Sequence, residues 1–169
     1  MFFSLMKNLI LGCVGAGKTT LAEKLFKKFK LPFISSDDII FDEKWQRRNL
    51  DDVNLQLKFF NKNNSWTFEG VKSKYFIRKK NISFDILVLL NCPKKVILRR
   101  IIRRFKEGKR GKNSYGKLKS FIPLLFWTIL YSPKKNFEFI KSFKGSVFVL
   151  GNEADEKTFL KKLESKAFI

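Results

Sequence analysis

Histidine is absent from this chain of 169 residues. Histidine acid–base chemistry, Ser-His-Asp and Cys-His nucleophile systems and histidine-liganded zinc are excluded together. Cysteine is nearly absent as well. Cys13 and Cys92 cannot build a disulfide framework or a four-thiolate metal site, and they suit a reducing, cytoplasmic setting. Acidic residues are few, 15 against 36 lysines and arginines, which leaves a net charge of +21. Long apolar runs are missing too. The longest, residues 121–131, contains Pro123 and is too short to cross a bilayer. Lys7 and Asn8 interrupt the apolar opening, so no leader peptide is expected, and neither is contact with a membrane. Alanine is scarce, whereas phenylalanine reaches 20. An AT-rich coding bias would favour Lys, Phe, Asn and Ile irrespective of function, so composition alone does not turn +21 into a binding signal.

What is present suits one domain spanning residues 1–169, with 44% hydrophobic residues to supply a core. The charge is uneven. Residues 94–144 carry 16 basic and two acidic side chains, whereas residues 145–169 carry four of each. The basic stretch must face something anionic or tolerate its own repulsion.

Strand-like apolar runs at residues 9–11, 33–34, 66–68, 85–90 and 147–150 alternate with helical patterns. Leu21, Leu25 and Phe29 line one face of a helix over 17–30, with basic residues opposite. Residues 38–60 read as largely helical and 94–106 as helical. A Gly/Lys loop follows at 107–117, then mostly helix over 118–143, kinked or broken at Pro133, and a closing helix at 153–166. The 85–90 run, uniformly apolar after Asp85, predicts a strand buried on both faces. The alternation predicts an α/β fold with a parallel sheet covered on both sides.

Gly12-Cys13-Val14-Gly15-Ala16-Gly17-Lys18-Thr19 fits G-x-x-x-x-G-K-[ST] at every fixed position. It lies between a buried strand and an amphipathic helix, where its chemistry requires it. The glycines let successive backbone N–H groups curl around a phosphate chain, aided by the positive end of the helix dipole. Lys18 would bridge the outer phosphates and the Thr19 hydroxyl would ligate Mg²⁺, with Thr20 completing the segment. A nucleoside triphosphate, ATP or GTP, is the expected ligand.

With this loop the chain resembles the small P-loop kinases of the adenylate kinase and shikimate kinase type. More narrowly, it resembles the bacterial DNA topology modulation (FlaR-like) proteins. The shared features occur in order: the loop, Ser36-Asp37, Trp66 to Glu69-Gly70, and residues 84–93 before an Arg-rich helix. Trp127 to Tyr131 with Pro133-Lys134-Lys135 and a final Val-Phe-Val-Leu strand complete the series. The resemblance implies a three-layer P-loop fold with a five-stranded parallel sheet in the order 2-3-1-4-5. It also implies a mobile lid near residues 105–118.

Phosphoryl transfer needs a carboxylate to orient an attacking hydroxyl or to hold Mg²⁺. Asp37, just past the second strand, is placed for this, and it suits helix capping equally well. Glu69 ends the third strand at the edge where parallel-sheet sites form. With Gly70 it is the other candidate for acceptor or metal. Asn91 stands where relatives usually carry Asp, which weakens a metal site there. Arg99, Arg100, Arg103 and Arg104 fall outside the apolar arc of their helix. The resemblance favours Arg100 and Arg104, with Arg110 in the lid, for the transferred phosphoryl group; Arg99 and Arg103 belong to the surface. Lys134 and Lys135 read as a solvated pair. Cys13 and Cys92 read as reduced, packed thiols, and Trp45, Trp66 and Trp127 as core or groove residues.

These features predict a Mg-ATP-dependent phosphotransferase with a small-molecule acceptor. The competing reading is a nucleotide-binding regulatory protein that contacts DNA or RNA through residues 94–144, in which case the binding should be weak and non-specific. An ATPase without an acceptor lacks a second metal-binding carboxylate at Asn91.

Overall fold

The computed structural model describes residues 6–44, 46–70, 82–107 and 118–167. Five strands form one parallel sheet. They are β1 (Lys7–Gly12), β2 (Phe33–Ser35), β3 (Trp66–Glu69), β4 (Ile86–Leu90) and β5 (Ser146–Leu150), in the order β2-β3-β1-β4-β5. The first helix, α1 (Lys18–Phe29), follows β1 directly; α2 (Ser36–Ile40) and α3 (Leu50–Asn61) join β2 to β3. Between β4 and β5 lie α4 (Lys94–Lys106), α5 (Leu118–Leu130) and α6 (Lys134–Lys141), and α7 (Glu153–Ala167) closes the chain.

The strand pattern decides which residues face which layer, because successive side chains point to opposite faces. Ile10, Ile86, Val88 and Leu90 pack with Leu21, Leu25, Ile97, Ile101 and Phe159 on one side of the sheet. Leu9, Leu11, Leu87 and Leu89 pack with Ile39, Val53, Leu57 and Phe84 on the other. All five residues of β4 are buried, as a central parallel strand requires. Trp66 is fully buried among Phe60, Phe68 and Phe84, so it is a core residue.

One expected helix is two, and the break expected near Pro133 is present. The 38–60 stretch is interrupted after Ile40, where Phe41 pairs antiparallel with Arg47, and Asn49 then caps α3 by accepting from the Asp52 N–H. A capping asparagine starts a new helix rather than continuing an old one. The 118–143 stretch breaks over residues 131–133, with Pro133 at the N-cap of α6. Trp127 is also not where it was expected. It is 70% exposed on α5 rather than packed in a core or groove. Trp45, Arg110 and most of the expected 105–118 lid lie outside the described residues, as does the Lys135 side chain.

Candidate functional site

Register brings the carboxyl ends of the strands together. Gly12 pairs with Leu90, Ile10 with Glu69, and Glu69 in turn with Ser35. The loop after β1 therefore emerges from the middle of the sheet, between the ends of β3 and β4, with the end of β2 beyond β3. Gly17, in the left-handed region at φ 103°, caps α1, and Gly15 at φ 77° turns the loop against α4. A methyl on Gly15 would meet Ile97 and Ile101 at 3.2 and 3.1 Å, so loop and helix are in close contact.

A cleft opens over this edge. It is lined by Val14, Gly15, Gly17, Lys18, Thr19 and Thr20 from the loop side, and by Ser35, Asp37, Glu69, Gly70 and Arg104 opposite. Lys18 is buried, and its Nζ donates to the Cys13 carbonyl at 3.0 Å. Thr19 Oγ1 donates to Glu69 Oε1 at 3.0 Å, which ties the start of α1 to the end of β3. Asp37 opens α2, whose N-cap, Ser35, accepts from the Asp37 N–H at 3.2 Å. The cap is thus made by Ser35, and Asp37 lines the cleft. Gly70 at φ 135° lets the chain turn past α2, because a methyl there would lie 1.9 Å from Ser36 Oγ.

Burial dominates the electrostatics. Desolvation lowers the pKa of Lys18 from the ordinary lysine range, although Glu69, Cys13 and Asp37 favour its charge. The same desolvation raises Glu69 above the usual carboxylate range, against the pull of Lys18 and the hydrogen bonds from Thr19 and Ser35. Burial thus disfavours the charged form of both groups.

The two favoured arginines separate. Arg104 lines the cleft, whereas Arg100 Nη1 donates to the Ala16 carbonyl at 2.9 Å and lies 3.9 Å from Cys92 Sγ. Arg100 thus braces the loop from behind. Arg99 is exposed, and Arg103 is 3.7 Å from Glu107 on the outer surface. Asn91 is exposed and is not among the residues lining the cleft. Both cysteines are free thiols packed beneath the loop. Cys92 Sγ donates to Ala16 O at 3.5 Å, and burial pushes the Cys13 thiol up. Tyr131, pushed up to about 12 by burial and by Cys13, completes this neutral support.

Sequence reasoning missed two members of the arrangement. The Arg100 contact with Ala16 depends on the angle between α4 and the loop, for which no local pattern exists. Ser35 as the capping partner was legible in the Ser-Ser-Asp-Asp run but not distinguishable there from its neighbours.

The fold is found in solved kinase structures. Deoxyadenosine kinase from M. mycoides with bound dATP matches with a TM-score of 0.54 at 17% identity, covering 94% of this chain and 100% of that one. The same kinase with dCMP and dCDP gives 0.52 at 17% identity over 95% and 100%. An unliganded sugar kinase from Janibacter sp. gives 0.54 at 17% identity over 94% of both chains. Likeness at this identity is likeness of fold, the P-loop kinase architecture with strand order 2-3-1-4-5. No protein-family model matches the sequence, and no curated protein does.

Proposed function

We propose that the chain is a Mg-ATP- or Mg-GTP-dependent phosphotransferase of the nucleoside or nucleotide kinase type. Its acceptor is a small molecule bearing a hydroxyl or phosphate. The observation that carries this reading is the convergence of Lys18, Thr19, Asp37 and Glu69 on one cleft at the carboxyl edge of the sheet. Solved structures of the same fold, which include nucleotide-bound deoxyadenosine kinase, support the choice of reaction class.

In this reading the amides of residues 12–20 cradle the phosphates and Lys18 neutralises them. A hydroxyl and two carboxylates form a hard-oxygen donor set that suits Mg²⁺. Among the described residues no cluster of three or more acidic or thiol ligands occurs, so Thr19, Asp37 and Glu69 would hold the ion together with phosphate oxygens and water. The bound ion would neutralise charge developing on the phosphoryl oxygens. Whichever of Asp37 and Glu69 faces the acceptor orients its hydroxyl and accepts its proton. Arg104 faces the transferred group, with Arg110 assigned to the same task, while Arg100 acts by holding the loop. The narrower kinship with the topology modulation proteins and a cytoplasmic setting belong to the same proposal and rest on sequence. So does the reading of residues 1–169 as one domain.

The test is acceptor-dependent turnover. Purified protein, Mg-ATP and separate panels of nucleosides, nucleoside monophosphates and sugars should yield a phosphorylated acceptor and ADP in equal amounts. ADP release that is indifferent to every acceptor would replace the kinase reading with that of an ATPase.

A further inference from the structure

From Phe121 onward helix α5 is apolar on every side, and only half of that surface is covered. Phe121, Leu124, Leu125 and Tyr131 pack on the core beneath the phosphate loop, with Thr128 buried between them. On the opposite half, Ile122, Phe126, Trp127, Ile129 and Leu130 are each between 55% and 70% exposed. A helix that is apolar all round normally lies buried. Five large side chains in one solvent-facing sector form a patch of the kind that marks an interaction surface.

The surroundings of the patch are cationic. Lys94 reaches the end of α5, where its Nζ donates to Ile129 O at 2.7 Å. Phe105 of α4 stacks on Phe121 of α5 at 4.2 Å. At roughly 100° per residue, the next sector of α4 runs through exposed Ile102 to Lys95, Lys106 and Arg99. Residues 94–144 contain only Glu107 and Glu138 to oppose 16 cations.

We propose that this face docks on an anionic lipid surface, with the exposed half of α5 lying in the headgroup plane. Charge complementarity selects this occupant. A second copy of the chain would bring one cationic face against another, which costs free energy. Nucleic acid would satisfy the cations but leaves Ile122, Ile129 and Leu130 without an apolar partner, since base stacking uses aromatic faces. An anionic membrane offers both phosphate charge and apolar depth, and exposed tryptophan and phenylalanine suit that boundary. The 13 residues of α5 extend about 20 Å, short of a roughly 30 Å hydrocarbon core, so the helix lies on the membrane rather than across it. Among the described residues no helix is long and apolar enough to span. Docking of this kind departs from the sequence expectation of no membrane contact.

The test is co-sedimentation of the full chain with vesicles of phosphatidylcholine alone and of phosphatidylcholine with phosphatidylserine. Binding is expected only to the second, and weaker at high salt. Phe126→Ser should weaken it about tenfold, the loss of one buried aromatic side chain. Lys95→Gln and Lys106→Gln should each weaken it roughly fivefold. All three positions are exposed, so circular dichroism and melting should match the parent. Vesicles should also shift tryptophan emission to the blue, and Trp127→Phe should abolish the shift. Binding that ignores Phe126→Ser, or an emission shift that survives Trp127→Phe, overturns the proposal. So does a dimer, or retained nucleic acid, that Phe126→Ser releases.

Discussion

Thr19 Oγ1 gives its proton to Glu69 Oε1 at 3.0 Å, so the hydroxyl at the start of α1 is oriented by the carboxylate at the end of β3. With its proton engaged there, the oxygen keeps lone-pair capacity at a residue that lines the cleft. Glu69 thus lies between Thr19 on one side of the cleft and Ser35 and Asp37 on the other.

The cost of that placement is measurable. Burial raises the Glu69 pKa, so between the ordinary carboxylate value and its own the folded chain holds a proton that the unfolded chain has lost. Stability therefore falls as pH rises through this window and stays lower above it. Glu69→Gln keeps an acceptor for Thr19 and removes the charge. In chelator and without nucleotide, its melting temperature should exceed the parent's at neutral pH, and the advantage should vanish in acid. Kinase turnover of the same variant should be lost. A variant that melts lower at neutral pH would show that Glu69 is a stabilising partner of Lys18 rather than a strained functional group.

Lys18 is strained in the opposite sense. Its ammonium is buried and its pKa lowered, so the folded chain sheds a proton that the unfolded one retains, and free-protein stability rises as pH climbs into the alkaline range. Lys18→Met retains the stem without the charge, and the free protein should melt no lower than the parent. Mg-ATP should raise the parent's melting temperature by mass action and leave the variant's almost unchanged. An equal rise in both proteins would place the nucleotide elsewhere.

How much of this was legible in the sequence differs by element. The turn over residues 12–19 was legible, because glycines at fixed spacing between a strand and a helix dictate it locally. Strand order followed from resemblance, and β4 from its unbroken Ile-Leu-Val-Leu-Leu run. The interruption at residues 41–49 was hidden, since a polar, charged segment there has no period that separates a short bridge from an exposed helical turn. Arg100 and Arg104 read alike, four residues apart on one helix. Only the angle of α4 against the loop separates them. The exposure of Trp127 had no signature, because an apolar helix looks the same whether one side of it is covered or both.

Gly15 tests the closeness of loop and helix. Its φ of 77° disfavours any side chain, and a methyl would press on Ile97 and Ile101. Gly15→Ala should destabilise the protein by about 1–3 kcal/mol, the cost of a strained backbone, with nucleotide affinity falling in parallel. Ile101→Val in the same background makes room on the α4 side. Partial recovery of melting temperature would show that contact with α4 contributes to the cost, and no recovery would assign it to φ alone.

The arginines separate support from chemistry. Arg104 lines the cleft and lies on the exposed side of α4, so its removal should scarcely alter folding. If it stabilises charge on the transferred phosphoryl group, Arg104→Ala should lower kcat on the order of a thousandfold, with little change in the KM for ATP. Arg100 donates to the Ala16 carbonyl at 2.9 Å, and this carbonyl also accepts from the Cys92 thiol, a weak donor. Arg100→Ala should therefore loosen the loop, lowering the melting temperature and raising the KM for ATP more than it lowers kcat. Arg99→Ala and Arg103→Ala share the helix and the charge change without either contact. They should stay within about 0.5 kcal/mol of the parent in stability and near it in turnover. The decisive comparison is the ratio of the kcat effect to the KM effect for Arg104 and Arg100, measured with one acceptor under identical conditions. Equal ratios would mean that both arginines act through the same group, and the division between a loop brace and a phosphoryl contact would have to be given up.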